Sequence, residues 1–492
     1  MRDKAIRASF CLVLFSVFLL FCSCNSATNT SKGSIVGSIR LEGETDHSGI
    51  VVSIYYAGIV PEEISQIQDE YPQLAFPIDD KVLFDHREHE ALHSVYTDNE
   101  GSFSFPKLPY DEYIVAYSKE GWGCNYVFDI ELNSNEIDIS DKASKLYTEV
   151  DFPSYIDGTY ELESDKCYVA RNDVVIGESG HMIMEANSRL LIDTNIKISS
   201  HGLISTPDGE DRAYITSYSG MYSDDSPVSD MGDGFYIYSG THELSNISFS
   251  YLLNALQINS DDYSVEFLSF NECVHGLVAR AMSDMAIENC LFANCNNTNA
   301  AACYAYDVQG LGASANIFYS NYIAEKHEIV KNAVVENNAY MDNDRAYLNL
   351  WESTADFRYN DVRSDGVAIE NSGRSNLSIT YNNIESQVGV KTYHTGNWYN
   401  TITSGWTKGN NNNIVTSLYG VESRALYYYS LEGPYPLDFK NNWWGTADTS
   451  AMDDLIIDFN DLGLEGASGV TSIVNYIPVK TSRIYGAGIQ AR

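Results

Sequence analysis

The sequence predicts an all-β chain: a small β-sandwich followed by a long parallel β-helix. Short strand-like runs broken by turn residues recur along the whole chain, while apolar helical patterns are scarce. Beyond residue 310 asparagines return at a fixed interval: Asn316, Asn338, Asn360 and Asn382 are spaced by 22, and Asn412 and Asn442 follow at 30. The chain is 492 residues long, which suits several domains or a repeat array better than one compact core.

The N-terminus comes first in order. Arg2, Lys4 and Arg7 precede an apolar run from Phe10 to Cys22. That run is shorter than the ~20 residues needed to span a bilayer as a helix, and it fits the core of a secretory signal. It ends in Phe21-Cys22-Ser23-Cys24, which resembles the bacterial lipobox. The resemblance implies a signal peptide over 1–24, acylation at Cys24 and a lipid anchor in a membrane. Phe21 stands where that family usually has Leu. A polar tether, 25–32, follows. Asn25 is not the Asp that retains such proteins at the inner membrane, so the expected location is the outer membrane or cell surface. The net charge of −38 argues against nucleic acid as a partner, which needs basic patches.

Residues 33–140 read as short strands. Ser34–Arg40 and Ile50–Ile54 are strand-like, Thr97-Asp98-Asn99-Glu100-Gly101 is a turn, and Phe103 and Phe105 alternate after it. Leu108-Pro109 and the strand Tyr113–Tyr117 complete the pattern. Together they resemble the carboxypeptidase regulatory-like, transthyretin-like β-sandwich family, although Glu112 replaces its usual Gly. The resemblance implies a non-catalytic spacer or binding module. His89-Glu90-Ala91-Leu92-His93 spells a zinc-protease motif, but the chemistry needs both His on one helical face. Here the motif ends an insertion (61–93) between strands, with no third ligand in view. It reads as an exposed polar loop or short helix, and no metal is assigned.

The repeats begin near residue 145 and run to about 480, leaving 481–492 as a tail. Apolar side chains lie two residues after each anchor: Phe318, Tyr340, Val362, Ile384, Ile414 and Trp444. Extended backwards, the apolar position continues at Phe292, Phe270 and Leu252. A 22-residue unit of short strands and turns is what one β-helix coil requires. A residue one period on then lies directly above, about 4.8 Å away, so inward asparagines can stack as a ladder. Leucine-rich repeats lack support, since no Leu-x-x-Leu-x-Leu pattern occurs. The stretch Tyr160–Ser217 and the closing Asn441-Asn442-Trp443-Trp444-Gly445-Thr446 resemble right-handed, pectin-lyase-like parallel β-helix proteins. That fold hosts lyases, hydrolases and adhesins alike, so the resemblance implies architecture and not activity.

Candidate site residues come from register. After the repeat glycines Gly366, Gly389 and Gly420, alternate positions should face outward. They place Glu370, Lys391, Tyr393, Glu422 and Arg424 on one sheet, with Trp398 and Trp406 on an adjacent insert and Tyr427, Tyr428, Tyr429 and Tyr435 on another. Rings beside charged and hydrogen-bonding groups suit sugars, whose C–H faces pack on aromatics. A salt-bridge ladder flanked by packing loops is the alternative. No clean lyase or hydrolase motif emerges, and Val274-His275-Gly276 occupies an ordinary turn position. No cofactor is assigned. The acidic stretch with Asp224, Asp225, Asp230 and Asp233 leaves calcium open beside a plain solvated loop. Cys273 and Cys295 are 22 apart, which would stack them within disulfide range if the coils are in register.

The expected function is therefore a surface-anchored protein that binds glycan or another extracellular surface, catalysis not assured. The alternatives are a polysaccharide lyase or glycoside hydrolase, and a structural or adhesive rod. If Cys24 carries the anchor, Cys24→Ala should move the chain from the membrane to the soluble fraction. A variant that stays membrane-bound and acylated would overturn the assignment.

Overall fold

The computed structural model describes residues 31–142, 145–209, 211–222, 228, 230–393, 406–423, 426–427, 435–458, 461 and 470–490. Cys24 lies outside them. Two small sheets open the fold. Lys32–Ser38 pairs with Ser102–Pro109 and Glu136–Asp138, while Val51–Tyr56, His93–Tyr96, Glu112–Lys119 and Gly123–Glu131 form the other. Their inner faces enclose Ile35, Val52, Ile54, Phe105, Tyr113 and Val127. The period-2 alternation of Phe103 and Phe105 puts both rings inside.

The insertion after Tyr56 folds into short helices with a buried apolar face. It holds helix α1 (Glu62–Glu70) and a single turn, α2 (Asp80–Leu83), whose N-cap Asp79 accepts a bond from Lys81 N at 3.0 Å. Ile64, Ile67, Leu74 and Leu83 form an apolar face that packs onto Leu291, Ile317, Ala339 and Met341 of the repeat domain. Burial of that face decides the conformation. The His89–His93 motif forms no helix: His89 stacks on Phe84 at 5.4 Å and His93 opens a strand. Just before the motif the chain is pinned by Arg87. Its guanidinium meets Asp85 at 2.6 Å and donates to Ser217 O, Ser219 O and Thr216 Oγ1 at 2.7–2.9 Å. The Tyr251 ring lies against it at 4.5 Å, and Tyr251 OH bonds Glu88. Burial alone would raise the Asp85 carboxyl's pKa, but Arg87 holds it well below the usual range.

From Val150 onward strands pair in parallel with their counterparts one coil later, apart from the antiparallel pairing of Leu426–Tyr427 with Val470–Asn475. One coil serves as the pattern: strands Cys303–Ser314 and Ile317–Tyr319, then Ile323–Glu328, with sharp corners at Ala315 and Ser320 in left-handed backbone. The same corner recurs at Asn337, Tyr359, Tyr381, Asn411 and Asn441, each just before a ladder asparagine. Asn316, Asn338, Asn360, Asn382, Asn412 and Asn442 are fully buried. Each Oδ1 from Asn338 onward accepts the backbone N–H and the side-chain amide of the asparagine one coil earlier, at 2.8–3.2 Å. Each Nδ2 also donates to a backbone carbonyl, as Asn360 does to Val335 O at 3.0 Å. Corner groups that would be orphaned in the interior are thereby satisfied.

Between the corners one side chain per coil points inward. Phe249, Phe270, Phe292, Phe318 and Tyr340 stack face to face at 4.7–5.2 Å. Phe249, not Leu252, aligns with Phe270. The coil before it has an irregular spacing, so the 22-residue count slips there. Each stacked pair adds about 0.5–1.5 kcal/mol beyond area burial. The lumen also holds a Glu325–His327 contact at 2.7 Å, with Tyr340 OH donating to Glu325 at 2.5 Å and Tyr347 OH meeting His327 Nδ1 at 2.9 Å.

The second corner carries its own ladder, Cys273, Cys295, Asn321 and Asn343. Asn321 Nδ2 bonds Asn343 Oδ1 at 2.9 Å, and Asn321 Oδ1 accepts from Cys295 N at 2.9 Å. Cys273 and Cys295 are free, buried thiols, not the disulfide expected from their spacing. Their sulfurs turn onto backbone carbonyls, Cys273 to Asn271 O at 3.4 Å and Cys295 to Ala293 O at 3.5 Å. They stand in for ladder amides instead of facing one another.

The ladder gives the clearest stability test. Asn360→Ala should leave Asn338 N–H and Val335 O without partners and cost about 1–3 kcal/mol. A thermal shift within error of zero in calorimetry would contradict that role.

Candidate functional site

The two corners define a short face, and its outward residues fall in columns. One column runs Cys167, Arg189, Tyr214, Ser248, Ser269, Leu291, then Ile317, Ala339, Asp361, Asn383 and Asn413. The early coils of this face lie under the N-terminal module and its insertion. Downstream of Met341 the module gives way: residues 484–490 lie on the column, where Asp361 is 5% and Asn413 2% exposed, while Arg363 and Glu385 beside it are open to solvent. There the column two residues on reads Arg363, Glu385 and Val415.

This open part is the floor of a groove of about 910 Å³. Its walls come from distant parts of the chain. Glu70 and Tyr71, at the end of α1, stand at one side; Trp443 and Arg483 stand at the other. Glu70 approaches Arg363 at 3.9 Å. Asp342, Asp365 and Glu385 add carboxylates. The floor is rigid. Asn383 Nδ2 donates to Asp361 Oδ1 at 2.6 Å, and Asn413 Nδ2 to Asn383 Oδ1 at 2.8 Å. Residues 484–490 then run back along this column. Asn413 exchanges two bonds with the Ile484 backbone at 2.7 and 3.1 Å, and Gly488 N donates to Tyr381 O at 2.7 Å. Gly488 has φ +90°, and a Cβ there would collide with Asn383 and Asp361, so only glycine lets the segment lie this close.

Electrostatically the groove is mixed. Burial raises the Asp361 carboxyl above its usual pKa, with the Asn383 bond pulling the other way. Burial and the neighbouring Glu63 and Asp365 raise Asp342, opposed by Arg363. Ser386 Oγ and Thr416 Oγ1, also lining the groove, are sealed from solvent and make no hydrogen bond. Hydroxyls in that state lack the partners that buried polar groups normally find.

The residues expected from sequence lie elsewhere. Glu370, Lys391 and Glu422 are successive in-register neighbours on the adjoining face, beyond the second corner. Arg345 approaches Glu370 at 3.8 Å. Glu422 does not face open solvent as its register position suggested: it is only 5% exposed, with Ile457 pairing it on the next coil. The Tyr393 backbone pairs with Ser372. Trp406 is half-buried just before the strand Thr407–Asn410, where Asn376 Oδ1 accepts its backbone N–H at 3.1 Å and Lys408 lies 4.7 Å over its ring. Trp406 thus belongs to a third face. Trp398, Arg424, Tyr428 and Tyr429 lie outside the described residues, as do Asp224 and Asp225. Asp233 accepts bonds from Tyr236 OH and Asn254 Nδ2 at 2.7 and 3.0 Å. Among the described residues no group of three His, Cys, Asp or Glu is placed to hold a metal ion. His275 stacks on Tyr304 and meets Ala301 O at 3.1 Å.

The groove residues carry a readable signal that register counting from the glycines passes over. The first and third residues after each ladder asparagine face outward on the short face. They are Ile317 and Tyr319, then Ala339 and Met341, then Asp361 and Arg363, then Asn383 and Glu385. The switch from apolar to polar marks where the covered part ends.

No known family model matches the chain, and no curated protein matches it. A search of solved structures returns a DFA-IIIase from Arthrobacter chlorophenolicus A6 in complex with DFA-III. It is 12% identical over 65% of this chain and 81% of that one, with a TM-score of 0.32. A likeness at that level does not bear on function.

Proposed function

We propose that this chain binds a saccharide in the groove on the short face and is held at a bacterial cell surface, in the outer membrane, by a lipid on Cys24. The observation that carries the reading is the lining itself. Opposite charges at Arg363 and Glu385, amides at Asn383 and Asn413, and the Tyr71 and Trp443 rings border one cleft. Sugars supply hydroxyls for the polar groups and C–H faces for the rings. The alternating column Glu370, Lys391 and Glu422 would then be a charge ladder beside the site, an arrangement worth little where exposed.

A polysaccharide and oligosaccharide panel tests this directly. Trp443→Ala should weaken binding of the responding glycan by about 1–3 kcal/mol, as for loss of an aromatic anchor, with the melting temperature of the chain held. Glycan affinity unchanged in this variant would rule out the groove.

The raised pKa of Asp361 favours a second reading, hydrolysis of the bound glycan. Asp361 and Glu385 sit one coil and two residues apart, a Cα separation of roughly 8 Å. Side chains leaving one sheet face from backbone positions so spaced suit the two-carboxylate arrangement of glycoside hydrolysis. Asp361 would protonate the leaving oxygen while Glu385 activates water. Because a general acid must be protonated, activity should fall as pH rises through the Asp361 pKa, above the ordinary ~3.9 of aspartate. Asp361→Asn should lower release of new reducing ends by about 100-fold or more and leave binding in place. Equal turnover by the variant would exclude this role.

A further inference from the structure

A second cavity, of about 340 Å³, lies far from the groove at the seam between the insertion and the early coils. Arg212 forms its inner wall and is 6% exposed. Its Nε donates to Ser248 Oγ at 2.8 Å, and its Nη2 to Ile247 O at 2.8 Å and Ser269 Oγ at 3.5 Å. All three acceptors are neutral. Among the described residues no carboxylate comes within 4.0 Å of this guanidinium, whereas buried Arg87 has Asp85 at 2.6 Å. Among the described residues Nη1 has no hydrogen-bond partner, and it is not one of the buried atoms sealed from solvent. It therefore opens onto the cavity that Arg212 lines. The Phe76 ring covers one face of the guanidinium at 4.0 Å. A buried cation without a counter-charge is costly, and burial lowers the Arg212 pKa to about 10.

We propose that this cavity is a binding site for a small monocarboxylate, whose carboxylate meets Arg212 Nη1 and whose carbon body packs between Phe76, Tyr214 and Phe267. The volume sits at the small end of the range for ligand pockets. The guanidinium is the natural partner of a carboxylate, and neutral ligands leave its charge unmet. Asp79 and Asp211 also line the cavity, and they set the charge limit. Lys81 does not cancel them, because its ammonium is turned to Asp129 at 3.3 Å. Any anion here faces Asp79 and Asp211 as well as Arg212, so a monoanion in direct contact with the guanidinium meets less repulsion than a dianion such as sulfate or phosphate. A bound ligand would touch both Phe76 of the insertion and Arg212 of the solenoid, so it would tie the two together.

The test uses the full chain with benzoate, D-glucuronate and L-phenylalanine as probes, and sulfate and phosphate as controls. Calorimetric titration should give saturable one-to-one binding by at least one monocarboxylate, accompanied by a rise in melting temperature. Arg212→Lys should weaken that binding by about 10- to 100-fold. Should that variant fold poorly, Val82→Phe fills the cavity from the insertion side and should abolish binding while Arg212 stays in place. Binding of saccharides in the groove should be unaffected by Val82→Phe, which separates this site from the groove. No saturable binding of any of the three up to about 10 mM, well past millimolar affinity, would overturn the proposal. So would binding that survives Val82→Phe, or a preference for sulfate or phosphate.

Discussion

Everything in the repeat domain depends on satisfying the backbone at its inner corners. A parallel coil must turn sharply twice around its short strand, and each turn drives polar groups into a lumen that is otherwise apolar. Left-handed residues make the turn, and the following side chain closes the hydrogen bonds. Because every amide bonds the next coil, register cannot slip by one residue without breaking the whole series. The stacked rings from Phe249 to Tyr340 and the columns of outward residues follow from that fixed register. Where the ladder position holds cysteine, the thiol takes over part of the work by donating to the same kind of carbonyl, which is why the cysteines stay apart.

Left bare, the short face of the solenoid would expose an apolar patch at Leu291, Ile317 and Ala339. The N-terminal module removes that liability. Its insertion lays Ile64, Ile67 and Leu83 over Leu291, Ile317 and Ala339, and Arg87 threads between corner carbonyls farther back. A buried ion pair of this kind gives little net stability, since desolvation offsets attraction, but its loss would leave Asp85 uncompensated. The clamp therefore acts as a locator, setting how far along the solenoid the module sits and so where the groove starts.

The same arrangement explains why polar side chains collect where they do. Outward positions under the module are selected for packing; outward positions beyond it are free to carry Asp361, Arg363, Asn383 and Glu385. Residues 484–490 close the groove's remaining edge by bonding to Asn413 and Tyr381. Function is thereby placed at a boundary between covered and open coils, built from one rigid floor and two walls that arrive from opposite ends of the chain.

The sequence by itself determined the coils. A 22-residue asparagine interval with an inward apolar residue two places on can be read as a ladder and a stack because both depend only on local spacing and strand geometry. The alternation of Phe103 and Phe105 made the small sheets legible for the same reason. The groove was less legible: the apolar-to-polar change after Met341 is visible in the chain, but its meaning is not, because nothing local says which coils are covered. Only the tertiary structure decided that Tyr71 and Trp443 border one cleft, that Glu422 is covered, and that Arg212 has no carboxylate within 4.0 Å among the described residues. Those facts rest on contacts between residues hundreds of positions apart, and short-range periodicity carries no information about them.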